Sequence, residues 1–189
     1  MTATVDAYLA RWQADQESVA PSAIIPSPYQ QAAALLAERG ITLERVPELL
    51  AKAAADHAGW QQGEHPGDAA DAAGAEATYR ELAWEQRSIL ARALLASKRL
   101  DEAAAAVSEM RRAVAAWPQG REEDRRQRGG AEQQLLAVQS QLAAAQGRPA
   151  DAFAFAAAAQ RAGDDDPALE ERKSTAWREL GEAPRRWPR

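Results

Sequence analysis

The sequence contains no cysteine and only two histidines, and aromatic residues make up 6% of its 189 residues. Without cysteine, disulfide bonds, thiolate nucleophiles and cysteine-ligated metals are excluded. No stretch approaches the roughly 18 apolar residues of a membrane span, and no basic segment followed by an apolar run opens the chain. We therefore expect a cytoplasmic protein that does not enter a membrane.

Neither sign of charge dominates the chain. It carries 23 basic and 28 acidic residues, interspersed along the sequence, for a net charge of -5. Such a surface has no strong general attraction for nucleic acid or anionic membrane. Alanine is the commonest residue, whereas the β-branched residues that favour strands are sparse. Because alanine loses no side-chain entropy in a helix, this composition predicts an all-α protein.

The N-terminal region, residues 1–58, reads as three helices. The first has apolar residues at the i, i+3, i+4 and i+7 positions of one face. The second begins at Ser27-Pro28, with serine as the N-cap and proline at the first helical position, and ends at Gly40. The third has Pro47 in its first turn, where the missing N–H is harmless, and ends near His57. The apolar face of the first helix is formed by Val5, Tyr8, Leu9 and Trp12.

A loop rich in glycine and proline, Gly59–Asp68, is predicted next, followed by a long helix over Asp71–Ser97. This helix has two apolar faces and must be contacted from two sides, so we expect it to be a middle layer. The C-terminal half is predicted to contain four more helices. They begin at Asp101, Ala131, Ala150 and Asp166-Pro167, with a charged connector at Gln119–Gly130, a turn at Gly147–Pro149 and a frayed tail after Gly181.

The C-terminal half also contains an internal repeat. Shifting the sequence by 49 residues places Arg99 on Arg148, Ala103 on Ala152 and Pro118 on Pro167. The turns and the terminal prolines come into register together. Hairpins that cannot cover their own apolar faces are stabilised by stacking on copies of themselves, so this spacing predicts a short solenoid.

This pattern resembles tetratricopeptide-repeat proteins over about residues 79–180. In that family a small residue lies within the first helix, glycine forms the turn, alanine opens the second helix and proline ends the unit. The match departs from the family at Lys98, which replaces the turn glycine, and at Met110, which replaces a small residue. The period also exceeds the family's length of about 34. The matching residues are Ala91, Ser140, Gly147, Ala103, Ala152, Pro118 and Pro167.

The resemblance implies antiparallel hairpins stacked as a tetratricopeptide-like solenoid or right-handed superhelix over residues 69–181. It also implies a concave groove lined by the first helix of each pair, at Arg80, Trp84, Arg87 and Gln133. Arginine and aromatic side chains are frequent anchors of protein interfaces. The alternative for Trp84 is packing beneath the N-terminal helices.

The leading hypothesis is a non-catalytic scaffold or adaptor that binds a protein or a peptide. An exposed apolar stripe on a terminal hairpin would favour a homodimer. One alternative is a detached helical domain of a larger protein, since Ala176–Gly181 is similar to helices that precede the redox domain of some exported thioredoxin-like proteins. A second is a nucleic-acid-linked regulator that uses the basic patch at residues 111–128.

The sequence contains no motif that organises a catalytic or cofactor site, and we predict no enzyme activity, cofactor or metal. His57, Glu64, His65 and Asp68 include metal-ligating residue types, but their spacing matches no zinc or di-iron pattern. The acidic run at Asp164–Asp166 is typical of a helix N-terminus, where negative charge is favoured.

Overall fold

The computed structural model describes residues 5–11, 27–62 and 69–162, and every regular element among them is helical. The all-α prediction is confirmed for these residues. A 3-10 turn at Leu43–Arg45 precedes the third helix. The helices are α1 (residues 5–11), α2 (Pro28–Arg39), α3 (Val46–Gln62), α4 (Ala69–Ala96), α5 (Leu100–Ala115), α6 (Glu122–Ala145) and α7 (Pro149–Ala162).

The predicted start and stop of α2 are both observed. Pro28 occupies the first turn, and Gly40 ends the helix with a φ of 62°. The N–H of Ile41 donates to the carbonyl of Leu36 at 3.2 Å, which is the 6→1 bond of a Schellman motif. Ser27 occupies the N-cap position, but its side chain makes no capping bond. Ser27 is therefore the N-cap residue as expected, but its hydroxyl is used elsewhere.

The charged connector predicted at Gln119–Gly130 is also wrong, because α6 begins at Glu122 and includes both glycines. Three acidic residues occupy its first turn, where their negative charges interact favourably with the positive end of the helix dipole. Ion pairs one turn apart add to this, including Arg126–Glu123 at 3.6 Å. These contributions favour the helix and oppose the roughly 1 kcal/mol that each helical glycine costs relative to alanine.

The chain divides into two compact units, Met1–Ala96 and Ser97–Arg189. In the first unit α2 packs against α3, and both contact α4. The long helix α4, which the repeat pattern predicts to be grouped with the C-terminal hairpins, lies in the same unit as the N-terminal helices. The reason is its apolar face, from which Ile89 and Ala93 enter the same core as Leu36 and Leu49.

In the second unit α6 packs against α5 on one side and α7 on the other. The buried residues of α7 are all alanines. Ala143 of α6 and Ala152 of α7 form a cluster against which Phe153 and Phe155 pack. The buried hydroxyl of Ser140 donates to the carbonyl of Ala152 at 2.8 Å and links the two helices. The helix predicted to begin at Asp166-Pro167 lies outside the described residues.

Within the described ranges, no helix has both the length and the apolar character needed to cross a bilayer.

Candidate functional site

An apolar pocket of about 460 Å³ lies between α1 and α2, and we call it the α1–α2 pocket. Residue 41, just beyond the end of α2, closes one side. The apolar part of its lining is Val5, Tyr8, Ala32, Leu35, Leu36 and Ile41.

Two walls of this pocket are exposed to solvent. Tyr8 is 42% exposed and Leu35 is 44% exposed, and they are the large apolar side chains left exposed among the described residues. Their neighbours on the same helices, Leu9 and Leu36, are buried in the core. Adjacent residues on a helix point about 100° apart, so Leu36 is buried at the base of the pocket while Leu35 stays exposed at its wall. Paired apolar residues of this kind are a signal that sequence analysis overlooked.

The polar edge of the pocket is formed by Gln31 and Arg39. The Tyr8 hydroxyl donates to Gln31 Oε1 at 2.7 Å and joins α1 to α2. Arg39 is exposed, and its guanidinium makes no ion pair or hydrogen bond with any residue in the described ranges. It lies in the last turn of α2, where a cation also complements the helix dipole.

α1 is held in place by its apolar face and by one ion pair. Val5 and Leu9 belong to the core of the first unit. Asp6 pairs with Arg45 at 2.7 Å, and this hydrogen bond lowers the pKa of the Asp6 carboxyl and raises that of the Arg45 guanidinium. Because the pair is exposed to solvent, we expect it to orient α1 more than it stabilises the fold.

The backbone around Ile41 is constrained. Gly40 has a φ of 62°, and Thr42 has a φ of 50°. Left-handed backbone is rare for a β-branched residue such as threonine. These two residues fix the direction in which the Ile41 side chain enters the pocket lining.

A hydrogen-bond network joins three helices of the first unit, and we call it the interior polar network: Gln30, His57, Glu85 and Gln86. Gln30 and His57 are buried, whereas Glu85, at its outer end, is exposed. Gln30 is 1% exposed. Its amide nitrogen donates to Glu85 Oε2 at 2.6 Å, while its amide oxygen accepts from Gln86 Nε2 at 3.0 Å. Gln86 Nε2 also lies 2.9 Å from His57 Nδ1. The network therefore ties α2, α3 and α4 together.

Burial lowers the pKa of His57, and the negative charge of Asp56 opposes this shift. A neutral imidazole is what the network needs, because His57 Nδ1 must accept the hydrogen bond from the Gln86 amide. The buried Ser27 hydroxyl donates to Asp56 Oδ2 at 2.6 Å. A serine bonded to the carboxylate instead of the imidazole is not the nucleophile–base arrangement of a hydrolase triad. We interpret the network as a structural clamp.

The predicted groove residues fall in both units. Arg80, Trp84 and Arg87 follow one another along α4, whereas Gln133 lies half-buried in α6. Trp84 is 5% exposed, so its indole is not available as an exposed anchor. Arg80 pairs with Glu76 at 3.1 Å.

Arg87 is the most accessible of the four predicted residues. Its side chain is exposed, and its guanidinium donates to the carbonyl of Ala83 on its own helix at 3.0 Å. Of the predicted anchors, Arg87 is therefore the one whose surface is open to a partner.

Arginines of the basic patch at residues 111–128 form ion pairs with neighbouring glutamates. Arg128 pairs with Glu132 at 2.8 Å, and Arg112 pairs with Glu109. Arg125 donates to two backbone carbonyls that precede α6. These contacts leave less unpaired positive charge for a phosphate backbone than the sequence alone indicates.

Within the described part of the chain, no group of three histidine or acidic side chains is arranged to hold a metal ion. His57 is engaged with Gln86, as described above. The other metal-ligating residue types considered from the sequence lie outside the described residues: Glu64, His65, Asp68 and Asp164–Asp166.

No family model matches the chain, and no curated protein or solved structure is significantly similar to it. Its function must therefore be inferred from its own residues.

Proposed function

We propose that the protein is a non-catalytic helical-repeat scaffold that binds another protein or a peptide. The observation that supports this best is a repeated turn. Lys98 precedes α5 with a φ of 58°, and Gly147 precedes α7 with a φ of 70°. These positions are 49 residues apart, the spacing of the sequence repeat. The residue that replaces the expected glycine thus adopts the glycine-like conformation.

The residues after each turn also correspond. Arg99 pairs with Glu102, three residues later, with a contact of 2.5 Å, and Arg148 pairs with Asp151 in the same way at 2.7 Å. The next equivalent residue is a buried alanine in both helices, 0% exposed at Ala103 and 2% at Ala152. Shared turn, shared ion pair and shared small residue favour a duplicated module over a chance alignment of alanine-rich helices.

In repeat proteins each helical module contacts mainly its neighbours, so the modules stack in a row. The row presents an extended surface to which partners bind. Arg87 on α4 and Gln133 on α6 are the accessible or half-accessible members of the predicted binding face. Arginine is enriched at interface hot spots. The two positions lie in different units, and each is tested by itself.

A photo-crosslinking amino acid at position 87, and in a second protein at position 133, tests this proposal. Position 92 is the matched control, because Arg92 is exposed on another side of α4. We expect a discrete partner to be captured from 87 or 133 and not from 92, and the purified partner to bind by isothermal titration. A correctly folded protein that captures nothing above the control at either position contradicts the proposal.

A further inference from the structure

The α1–α2 pocket has the dimensions of a small-molecule site. Its volume of about 460 Å³ falls within the range of roughly 300–1,000 Å³ that is usual for ligand pockets. Such pockets are lined mainly by apolar side chains with a few polar groups at one edge. The lining described above has this composition, with Gln31 and Arg39 as its polar residues.

The apolar walls are arranged for a ligand that is itself apolar. Tyr8 and Leu35 keep more than two fifths of their surface exposed, although Leu9 and Leu36 on the same helices are buried. Covering them with an apolar chain or ring removes that surface from water, which favours binding. Both walls project from helices whose opposite faces are packed in the core, so the pocket exists before a ligand arrives.

The polar edge selects the charge of the ligand. Arg39 is the charged residue of the lining, and it forms no ion pair with any described residue. The Gln31 amide oxygen already accepts the Tyr8 hydroxyl. Glu38, the nearest acidic residue in sequence, is not part of the lining. A planar guanidinium with free donors matches a carboxylate, with which it forms two parallel hydrogen bonds.

We propose that the α1–α2 pocket binds a small apolar carboxylate. Its chain or ring lies between Tyr8 and Leu35, and its carboxylate pairs with the Arg39 guanidinium. This site is independent of the protein-binding function proposed above, because neither position 87 nor position 133 lines the pocket.

The test is isothermal titration of the full chain with three ten-carbon probes below their micellar concentrations: decanoate, decyl glucoside and decyltrimethylammonium. The probes share one apolar chain and differ in the charge of the head. We expect decanoate to bind about two- to fivefold more tightly than the cationic probe, which corresponds to the upper part of the range for an exposed ion pair. Arg39→Gln should abolish this preference while weak binding of all three chains remains. Leu35→Arg should abolish binding of all three.

The control variant is Arg92→Gln, which makes the same change of charge at an exposed position of the same unit that does not line the pocket. It should keep the preference for decanoate. The proposal is overturned by equal affinity for the three heads, by a preference that survives Arg39→Gln, by binding that survives Leu35→Arg, or by no binding of decanoate. A dimer that Leu35→Arg dissociates, without decanoate binding, would overturn it in favour of a second copy as the occupant.

Discussion

The core of the first unit and the buried face of α7 in the second unit are built from different side chains. The core of the first unit is built from branched aliphatic side chains, among them Leu36, Leu49 and Ile89, and it also contains a fully buried glutamine. In the second unit, every buried residue of α7 is an alanine, and Ala152 and Ala156 are each at most 2% exposed. Large side chains fill space between separated helices, whereas alanines let two helices approach closely.

This difference predicts opposite weaknesses. A core of large side chains is damaged mainly by removing atoms, because the space left behind collapses only in part. A close contact through small side chains is damaged mainly by adding atoms, because the helices must move apart. The following substitutions test this contrast.

The largest effect is expected for Leu36→Ala in the first unit. Leu36 is 1% exposed, so truncation should lower the free energy of unfolding by about 2–5 kcal/mol. Leu35→Ala on the same helix is the matched control, and because Leu35 is 44% exposed it should cost less than about 1 kcal/mol. Urea denaturation followed by circular dichroism measures both. Similar losses for the two variants would mean that Leu35 is also part of the core.

The second unit should respond to enlargement. Ala152→Leu inserts three carbons where α7 meets Ala143, and it should destabilise the protein by about 1–3 kcal/mol. Ala154→Leu is the control, because Ala154 is exposed on the same helix and both residues are good helix formers. The same denaturation experiment should show a change of less than about 0.5 kcal/mol for the control. If Ala152→Leu is as mild as the control, the helices are not in close contact there.

Local signals predicted the ends of α2 correctly, whereas α3, which was expected to end near His57, continues to Gln62. Ser27-Pro28 and Gly40 delimit α2 because proline at the first position and glycine at the C-cap act on the backbone directly. The predicted start of α6 was too late, because Gly129-Gly130 is typical of a connector. The acidic first turn and the ion pairs of the same segment favour helix instead. Tertiary contacts and charge patterns override a single unfavourable residue type.

The candidate sites were harder to predict. The interior polar network joins Gln30, His57 and Gln86, and the pocket joins Tyr8 with Leu35. The residues of each set are separated by 27 or more positions (57 − 30 and 35 − 8 both give 27), and they become neighbours only after the helices pack. Local sequence patterns do not predict which helices pack against each other. The same holds for Trp84. Helical periodicity predicts which face of α4 carries this residue, but it does not predict whether another helix covers that face.

The two units should agree at their helix ends. Gly40 in the first unit and Gly147 in the second have left-handed backbone, and a Cβ added at either would meet no atom within 4 Å. Alanine at either position should therefore cost about 1–2 kcal/mol through backbone strain alone. Gly130→Ala is the control, because Gly130 is helical and alanine there should stabilise by up to about 1 kcal/mol. Thermal denaturation should give opposite signs. If only one of the two glycine-to-alanine variants is less stable, the cost of a left-handed alanine also depends on the core of the unit that contains it.

The smallest effect expected is a pH dependence confined to the first unit, since residues 97–189 contain no histidine. Burial lowers the pKa of His57 below its ordinary value of 6.5, against the opposing charge of Asp56. The only other charged group of the interior polar network is Glu85, which accepts from Gln30. As pH falls through 6.5 the unfolded chain binds a proton that the folded unit still excludes, so stability should fall with pH in this window.

Once His57 is protonated, its Nδ1 no longer accepts from Gln86, and the link between α3 and α4 is lost. Amide hydrogen exchange between pH 5 and 7.5, corrected for the intrinsic pH dependence, should therefore show protection falling in α3 and α4 before it falls in α6 and α7. His57→Gln keeps a hydrogen-bonding side chain without a titrating group, and it should remove this difference between the units. If α3 and α4 still lose protection before α6 and α7 in the His57→Gln variant, another group binds the proton. The interior polar network would then not explain the pH dependence.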